Sequence, residues 1–172
     1  MNRNIFLTGA PSSGKTTVIK KVIAGLEAPA NGFYTEEKRE GGRRIGFLMK
    51  TLDGKSGFLA HQDIASDFQI RRYGVSIENI EKIAVPAIAI LTNRIIVLDE
   101  IGKMECFSEV FQEAAICALD APNVVVGTIT LGGNDFILQI KARDDIEIYE
   151  VTKENRDSLP HRILEKISLL SY

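Results

Sequence analysis

The chain has 172 residues, of which 45% are hydrophobic and 26% are charged, so it is long and apolar enough to bury one self-sufficient core. Its 21 basic and 23 acidic side chains leave a net charge of −2, which excludes the strong overall positive field typical of nucleic-acid-binding proteins. Two cysteines are too few for a disulfide scaffold, and without a C-x-x-C pair a Cys₄ or Cys₂His₂ zinc site is excluded. We therefore predict one domain over residues 1–172, with no nucleic-acid partner indicated.

The apolar stretches and the start of the chain predict its compartment. The longest apolar stretch, residues 84–91, is far shorter than the ~18 residues that a membrane span needs. The chain also begins directly in a strand-like segment, without the apolar region and cleavage site of a signal peptide. These observations predict a cytoplasmic protein that does not span a membrane.

Near the amino end, a strand precedes a helix. Residues 5–8 form a short apolar run, which predicts a buried strand. After Gly14, apolar residues at helical spacing predict an amphipathic helix of about 13 residues: Val18, Ile19, Val22, Ile23 and Leu26.

A β-hairpin is predicted next. Gly41-Gly42 separates two strand-like segments, residues 32–40 and 43–51, and both glycines accept the positive φ of a two-residue turn. Such a turn places Glu40 opposite Arg43. The expected register puts four apolar side chains on one face: Tyr34, Ile45, Phe47 and Met49.

The second half of the chain alternates helices and strands. Ser76 is a suitable N-cap for a helix that runs to about Leu91, and Pro86 is expected to kink or interrupt it. The predicted buried side of this helix is Ile77, Ile80, Ile83, Ala87 and Leu91. Later strands are predicted at residues 95–98, 124–126 and 146–151, and later helices at 107–119, 135–143 and 160–170. This alternation predicts an α/β fold with a largely parallel sheet, to which the hairpin is an antiparallel addition.

The segment between the first strand and the first helix carries a phosphate-binding pattern. It matches G-x-x-x-x-G-K-[ST] at every fixed position: Gly9-Ala10-Pro11-Ser12-Ser13-Gly14-Lys15-Thr16. The glycines let backbone N–H groups turn toward phosphate oxygens, and the following helix adds the positive end of its dipole. We expect Lys15 to reach the β- and γ-phosphates and Thr16 to bind Mg²⁺, with Thr17 also in the nucleotide-binding segment. The pattern predicts a P-loop (Walker A motif) that binds nucleotides such as ATP and GTP.

An acidic pair follows the strand predicted at residues 95–98. Asp99 would lie at the carboxyl edge of the sheet, where open α/β sheets bind ligands and where a Walker B aspartate holds Mg²⁺. Successive side chains of a strand point apart, so Asp99 and Glu100 reach one site only if the strand ends and turns there. Gly102 favours such a turn. We expect Asp99 to bind Mg²⁺ through water and Glu100 to polarise a water molecule that attacks the γ-phosphorus.

Three functions are compatible with these motifs. A glutamate directly after the metal-binding aspartate favours activation of water, and hence Mg²⁺-dependent hydrolysis of nucleoside triphosphates. The second hypothesis is a nucleotide or nucleic-acid kinase that uses the same loop, although no acidic acceptor-binding motif is evident. The third is a slow nucleotide-dependent switch that contacts a partner through the hairpin and residues 71–73. The identity of any protein partner is not indicated by the sequence.

Besides the P-loop, the chain contains three longer motifs: GFYTEE (residues 32–37) with GGRRIGF (41–47), LDEIGKME (98–105) and VTKENR (151–156). Together with the P-loop they resemble the small nucleoside-triphosphatases of thermophiles, a family known in animals as the cancer-related nucleoside-triphosphatase. The resemblance covers essentially the whole chain. Residues 52–70 match least well and are expected to form a loop.

The resemblance implies a P-loop fold, in which a mixed, mostly parallel sheet is sandwiched by helices and carries the inserted antiparallel hairpin. It implies a hydrolase that converts ATP, GTP, CTP and UTP to nucleoside diphosphate and phosphate with broad base tolerance. It places the P-loop on the triphosphate. A second segment is placed on the metal and γ-phosphate side: Leu98, Asp99, Glu100, Ile101, Gly102, Lys103 and Met104.

Three residues in the last third of the chain complete the predicted site. Arg143 ends the helix before the last strand, a lid-like position where the family carries a basic residue, and we expect it to act as an arginine finger in cis. Asn155 and Arg156 follow the last strand, where P-loop folds usually hold the base; amide contact or guanidinium stacking there tolerates many bases. The structural alternatives are a helix-terminal cation for Arg143 and a capping role for Asn155.

Overall fold

The computed structural model describes residues 3–170, so residues 1–2 and 171–172 of the predicted domain lie outside the described residues. The strands are β1 (Asn4–Thr8), β2 (Ala30–Glu40), β3 (Arg43–Thr51), β4 (Ser56–His61), β5 (Gln69–Ile70), β6 (Tyr73–Val75), β7 (Ile95–Ile101), β8 (Val125–Ile129) and β9 (Ile146–Glu150). The helices are α1 (Lys15–Gly25), α2 (Ile77–Asn79), α3 (Val85–Ala87), α4 (Glu109–Asp120), α5 (Asp135–Lys141) and α6 (Leu159–Leu170), with a π-helical turn at Ile80–Ala84 and a 3₁₀ turn at Glu105–Phe107.

All of these strands belong to one sheet, in the order β5-β6-β4-β3-β2-β7-β8-β1-β9. The strands from β2 through β7, β8 and β1 to β9 pair in parallel. β3, β4, β6 and β5 extend the β2 edge as antiparallel strands. The predicted α/β class, a mixed sheet flanked by helices with an antiparallel addition, is therefore confirmed.

Hydrophobic layers cover both faces of the sheet. On one face, Phe111 of α4 belongs to the same buried cluster as Leu98 of β7. On the other face, Ile19 of α1 and Ile163 of α6 belong to the cluster that includes Leu7 of β1. Buried strands that are covered on both sides explain the continuous apolar runs seen in the sequence. Within residues 3–170, no helix combines the length and the apolar character that crossing a membrane requires.

β2 and β3 form the predicted hairpin. Glu40 pairs with Arg43 as expected. Gly41 and Gly42 have φ values of 53° and 79°, the positive values that a two-residue turn requires. The turn sequence therefore predicted both the position and the geometry of the hairpin end.

A bulge in the hairpin moves one side chain to an unexpected face. Ile45 has no partner in the register, so Tyr34 pairs with Lys50 rather than with Met49. The prediction that Tyr34 shares a face with Phe47 and Met49 is wrong. Because β3 contains one extra residue, the pairing of β2 residues 33–38 with β3 is shifted by one position. A shift of one position places Tyr34 on the opposite face of the sheet from Phe47 and Met49.

The segment expected to be a loop, residues 52–70, contains β4 and the short strand β5. β4 pairs with β3 on one side and with β6 on the other, and so widens the antiparallel part of the sheet. Leu59 and Ala60 of β4 are buried in the hydrophobic core. The expectation of a loop is therefore wrong for Ser56–His61 and Gln69–Ile70, which form strands. The apolar residues of β4 pack in the core and so hold this strand in the sheet.

The helix predicted from Ser76 is shorter and less regular than expected. The Ser76 hydroxyl accepts a hydrogen bond from the Asn79 backbone N–H at 3.2 Å, which confirms the N-cap. α2, the π-helical turn and α3 then follow one another, and α3 ends at Ala87. Pro86 has no N–H for a regular helical hydrogen bond, which accounts for the irregular backbone around it. Leu91 lies beyond the helix and is 43% exposed, so its predicted burial is wrong.

Candidate active site

The phosphate-binding pattern lies in the turn between β1 and α1, at the carboxyl edge of the parallel strands. Gly9 and Gly14 have positive φ values of 151° and 106°. A Cβ on Gly9 would lie 2.8 Å from both the Ser13 Oγ and the Val151 carbonyl oxygen, so this close turn requires glycine. The Ser13 hydroxyl is buried and has no hydrogen-bond partner within residues 3–170.

Lys15 and Thr16 connect this loop with the acidic end of β7. The Lys15 Nζ donates to the carbonyl oxygens of Gly9 at 2.9 Å and Ala10 at 3.2 Å, so the side chain folds back over the loop. Thr16 and Lys15 line the same cavity as Asp99, and both lower the pKa of its carboxyl group against the effect of burial. The structure therefore brings together the two motifs that the sequence analysis assigned to one site.

β7 is longer than predicted and contains an irregularity at the acidic pair. It runs through Asp99 and Glu100 to Ile101 instead of ending at Leu98. Its register against β8 shifts between Leu98 and Ile101, which places one extra residue in β7. Because the shift interrupts the alternation of side chains, Asp99 and Glu100 both line the same cavity. A bulge within the strand thus replaces the expected turn.

Asp99 is 1% exposed, and the two neighbouring strands hold its carboxylate. Its Oδ1 accepts a hydrogen bond from the Thr128 hydroxyl of β8, and its Oδ2 accepts one from the Thr35 backbone N–H of β2 at 3.5 Å. Burial raises the pKa of Asp99, while these hydrogen bonds and the charge of Lys15 act in the opposite direction. The carboxylate is thus fixed in orientation at the base of the site.

A second buried acid, Glu105, lies beside Glu100. A Cβ on Gly102 would lie 2.7 Å from an oxygen of each of these two carboxyl groups. Burial, followed by the charge of Asp99, raises the pKa of Glu100 to about 7, although Lys15 opposes the shift. Burial, followed by the charge of Glu100, raises the pKa of Glu105 well above its usual range. A carboxyl group with a pKa near neutrality is suited to accept a proton under physiological conditions.

Sequence reasoning did not identify three of these residues. Thr35 and Thr128 reach Asp99 only because β2 and β8 flank β7, an order that the sequence does not reveal. Glu105 stood in the LDEIGKME motif, but its 2% exposure depends on how the 3₁₀ turn packs. Its position three residues after Gly102, in the same motif as Asp99 and Glu100, was the sequence signal that could have placed Glu105 near the site.

The P-loop and the acids border one cavity of about 650 Å³. All P-loop residues apart from Ala10 and Ser13 line it, together with Thr17, Asp99, Glu100, Lys103 and Met104. Leu98 and Ile101, which the family resemblance also placed at the site, are instead fully buried in the hydrophobic core. They support the acidic pair from behind and do not reach the cavity.

Arg143 lies at the opposite edge of the sheet from the P-loop. Its guanidinium donates to the Asp145 carboxylate at 2.8 and 2.7 Å and to the Asp120 carboxylate at 2.6 Å. Asp145 also accepts from Asn4, the first residue of β1, whereas the P-loop follows the last residue of that strand. The structure therefore contradicts the arginine-finger prediction and gives Arg143 a structural ion pair instead.

Arg143→Ala is expected to lower stability and to leave catalysis nearly unchanged. Two carboxylates lose a shared, partly buried cation, which costs about 1–2 kcal/mol and lowers Tm by roughly 3–6 °C. Thermal unfolding and steady-state hydrolysis, measured on the same preparation, test this expectation. A loss of kcat near the ~10³-fold scale of an arginine finger, with unchanged Tm, would restore the original prediction.

The loop between β9 and α6 lies beside the P-loop. A Cβ on Gly14 would lie 3.6 Å from the Arg156 Cδ. The Asn155 side chain is occupied within its own loop, where it accepts from the Thr152 N–H and donates to the Glu150 carbonyl oxygen, each at 2.8 Å. The capping alternative therefore describes Asn155. Arg156 is exposed next to the P-loop, and its guanidinium has no partner within residues 3–170.

Known proteins are similar to this chain in sequence over nearly its whole length. A sequence model of a family described as NTPase matches residues 4–164. The nucleoside-triphosphatase THEP1 of Thermotoga sp. strain RQ2 is 43% identical over 162 residues, which cover 93% of this chain and 92% of the relative. The human cancer-related nucleoside-triphosphatase is 39% identical over an alignment of 180 positions, gaps included, that covers 92% of this chain and 93% of that protein.

Two solved structures share the fold. The crystal structure of THEP1 from the hyperthermophile Aquifex aeolicus has a TM-score of 0.87 at 33% identity and covers 95% of this chain and 98% of that chain. The solution structure of a human cancer-related nucleoside triphosphatase has a TM-score of 0.79 at 37% identity, with coverage of 96% and 97%. The resemblance inferred from the sequence motifs is therefore confirmed, and the chain belongs to the NTPase family.

Proposed function

We propose that this protein hydrolyses nucleoside 5′-triphosphates to nucleoside diphosphate and phosphate, with Mg²⁺ as cofactor and with broad base tolerance. The observation that carries this proposal is the meeting of the P-loop with Asp99 and Glu100 in one cavity. The names of the similar proteins, which are called nucleoside-triphosphatases, support the same reaction class.

Backbone and side-chain donors of the P-loop would bind the triphosphate. The curled loop and the start of α1 offer N–H groups and a positive dipole end to phosphate oxygens. The Lys15 ammonium now contacts the Gly9 and Ala10 carbonyl oxygens, and a bound phosphate would replace these weak acceptors with a charged one.

Magnesium fits the donor set at the base of the cavity. The Thr16 hydroxyl and the Asp99 carboxylate are hard oxygen ligands, and both residues line the same cavity. Mg²⁺ typically uses one or two such protein ligands together with substrate phosphates and water. Within residues 3–170, no cluster of three or more His, Cys, Asp or Glu is placed to hold a metal, so phosphate oxygens would complete the site. When bound, the metal neutralises charge on the β- and γ-phosphates.

Glu100 is the residue that we assign to the attacking water. Its carboxylate would accept a proton as the water oxygen bonds to the γ-phosphorus and the bond from that phosphorus to the β-phosphate oxygen breaks. Its raised pKa, about 7, makes it a better base than an exposed glutamate. Asp99, held by two flanking strands, stays in place for the metal and does not take part in proton transfer.

Arg156 supports the proposed base tolerance. Arg156 is exposed, and its side chain lies beside Gly14 of the P-loop. Stacking of a guanidinium on a base depends on the π-face that all four bases share, so it discriminates little between them. Asn155, held within its loop, contributes to the position of Arg156 and not to base contact.

An acceptor-free phosphate-release assay tests the proposed function. Purified protein is mixed with Mg²⁺ and, separately, ATP, GTP, CTP or UTP, and released phosphate and nucleotide products are quantified. We expect phosphate and diphosphate in equal amounts from all four, with rates within about tenfold, and no release when EDTA removes the metal. Absence of phosphate from every nucleotide, for protein with an intact thermal transition, would refute the proposal.

Thr128→Val is expected to raise the Mg²⁺ concentration needed for tight nucleotide binding. The isosteric valine removes the hydroxyl that orients Asp99, and outer partners of metal ligands typically contribute 10–100-fold to metal affinity. A fluorescent nucleotide titrated with Mg²⁺ measures the shift without relying on turnover. Thr128→Ser, which keeps the hydroxyl, should restore the wild-type requirement; an unchanged requirement in Thr128→Val would show that this hydrogen bond does not matter.

A further inference from the structure

The strand order determines how the parts of the candidate site follow one another along the edge of the sheet. Arg156 follows β9, the P-loop follows β1, and the acidic pair lies on β7, three strands away from β9. Neighbouring strands are about 4.8 Å apart, so these positions span roughly 14 Å along the edge of the sheet. A nucleotide with its base at Arg156 and its γ-phosphate at Glu100 would occupy this part of the edge. Residues of β2, β3 and β4, on the side of β7 away from β9, would therefore lie beyond the γ-phosphate.

The cavity continues past the acids, beneath the antiparallel part of the sheet. Its far wall comes from β2, β3, β4, β5 and the turn after β7, through Glu37, Arg44, Phe47, Leu59, Ile70 and Met104. β3 lies two strands beyond β7, which adds about 10 Å to the site. A water molecule that attacks the γ-phosphorus needs only a small part of this space.

The far wall combines aromatic, apolar and charged groups. Glu37 and Phe47 face each other as direct partners across β2 and β3. The Arg44 guanidinium lies 4.9 Å from the centre of the Phe47 ring, donates to Glu37 at 2.7 Å and to the Tyr73 hydroxyl at 3.1 Å. These contacts fix Arg44, and its remaining nitrogen, Nη2, has no partner among the residues that the structure describes. Ile70 and Met104, both partly exposed, add apolar surface.

These groups suit a flat, hydroxyl-bearing molecule. A ring can pack on Phe47, and a ring acceptor can receive from the Arg44 Nη2. Arg39 occupies the Glu37 Oε2 with two hydrogen bonds, so hydroxyl or ring N–H groups can donate to Oε1, which accepts from Arg44 alone. A nucleoside has all of these parts, a heteroaromatic base and a sugar with several hydroxyl groups.

We propose that this outer part of the cavity is a second-substrate subsite that binds a nucleoside, so that the enzyme also transfers the γ-phosphoryl group to a nucleoside hydroxyl. The inference rests on the proposed function, since it uses the same triphosphate site. In the transfer, the nucleoside oxygen bonds to the γ-phosphorus, the bond to the β-phosphate oxygen breaks, and the hydroxyl proton passes to Glu100. The products are a nucleoside monophosphate and a nucleoside diphosphate.

The test measures how the γ-phosphoryl group divides between water and nucleoside. Full-length protein, Mg²⁺ and γ-labelled ATP are incubated with adenosine, guanosine, cytidine or uridine at millimolar concentration, and labelled phosphate and labelled nucleoside monophosphate are separated. We expect labelled monophosphate from at least one nucleoside. Phe47→Ala should lower the ratio of monophosphate to phosphate at least about tenfold and change phosphate release less than about threefold. Phe68→Ala removes an aromatic side chain that packs on Phe107 outside the cavity, and should leave the ratio unchanged.

Each outcome separates this proposal from the proposed function. Phosphate release without labelled monophosphate from any of the four nucleosides overturns the subsite and leaves the hydrolase intact. If wild-type protein forms neither labelled phosphate nor labelled nucleoside monophosphate, the proposed function itself is refuted. A Phe47→Ala variant that loses hydrolysis and transfer in proportion places Phe47 in the hydrolytic site and overturns the subsite. Transfer that occurs only to the 5′ end of an oligonucleotide overturns the nucleoside as occupant.

Discussion

Glu100→Gln is expected to reduce kcat for triphosphate hydrolysis by about 10²–10⁴-fold while leaving nucleotide affinity within a few fold of wild type. Glutamine keeps the size and most of the polarity of the side chain but cannot accept the proton of the attacking water. We assign phosphate binding to the P-loop and not to Glu100, so nucleotide affinity is expected to stay nearly unchanged. Single-turnover hydrolysis and titration with a fluorescent nucleotide measure the two effects separately.

Lys15→Ala is the matched comparison for that variant. Removal of the ammonium takes away a charge that binds the β- and γ-phosphates, so we expect affinity itself to fall. Equal losses of affinity and turnover in Glu100→Gln would mean that Glu100 binds nucleotide and is not the base. Near-normal turnover in Glu100→Gln would require a different base for the water.

Glu105→Gln is expected to raise stability, and to raise it more at high pH than at low pH. Burial and the neighbouring Glu100 raise the pKa of Glu105 in the folded protein well above its ordinary value. A raised pKa means that the folded state favours the protonated carboxyl group, so the contribution of Glu105 to stability is lost as pH rises above about 4.5. Glutamine is neutral at every pH and accepts the same backbone hydrogen bonds.

Thermal unfolding of Glu105→Gln and wild type between pH 5 and pH 8 measures this effect. Each pKa unit corresponds to about 1.4 kcal/mol, and a chain of this size gains roughly 2–4 °C in Tm per kcal/mol. We expect nearly equal Tm values at pH 5 and a variant that is higher by at least about 3 °C at pH 8. Glu113→Gln, on the exposed side of α4, should show no such divergence. A lower Tm for Glu105→Gln at pH 8 would mean that the buried carboxylate stabilises the fold.

The parts of the site that the sequence predicted are those that a local motif determines. Gly9 and Gly14 need positive φ, and Lys15 and Thr16 follow in fixed register at the start of a helix, so the P-loop was readable from spacing alone. The hairpin turn at Gly41-Gly42 was readable for the same reason. In each case the chain's own backbone geometry, and not distant packing, determines the structure.

Predictions that depended on neighbouring strands or on sheet edges were less successful. The bulge at Ile45 reversed the face of Tyr34, and nothing in the alternation of apolar residues marks one extra residue in a strand. Arg143 was placed at the site from its position before the last strand. In a parallel sheet, however, the segment that leads into a strand lies at the amino edge, whereas the P-loop and the acidic pair lie at the carboxyl edge. That alternation was available from the sequence and would have removed Arg143 from the site.

The groups that surround Asp99 and Glu100 could be identified only from the tertiary structure. The burial of Glu105 depends on how the 3₁₀ turn packs, and the contact of Thr128 with Asp99 depends on the position of β8 beside β7. Burying two neighbouring carboxyl groups costs stability. Such a cost is expected where a base with a raised pKa serves catalysis.

The central claim is that water, deprotonated by Glu100, attacks the γ-phosphorus of a triphosphate that the P-loop holds. Hydrolysis of ATP in water enriched in heavy oxygen, with mass analysis of both products, tests it most directly. We predict one heavy oxygen atom in each released phosphate and none in the diphosphate. Heavy oxygen in the diphosphate, or consumption of ATP without labelled phosphate, would contradict the claim.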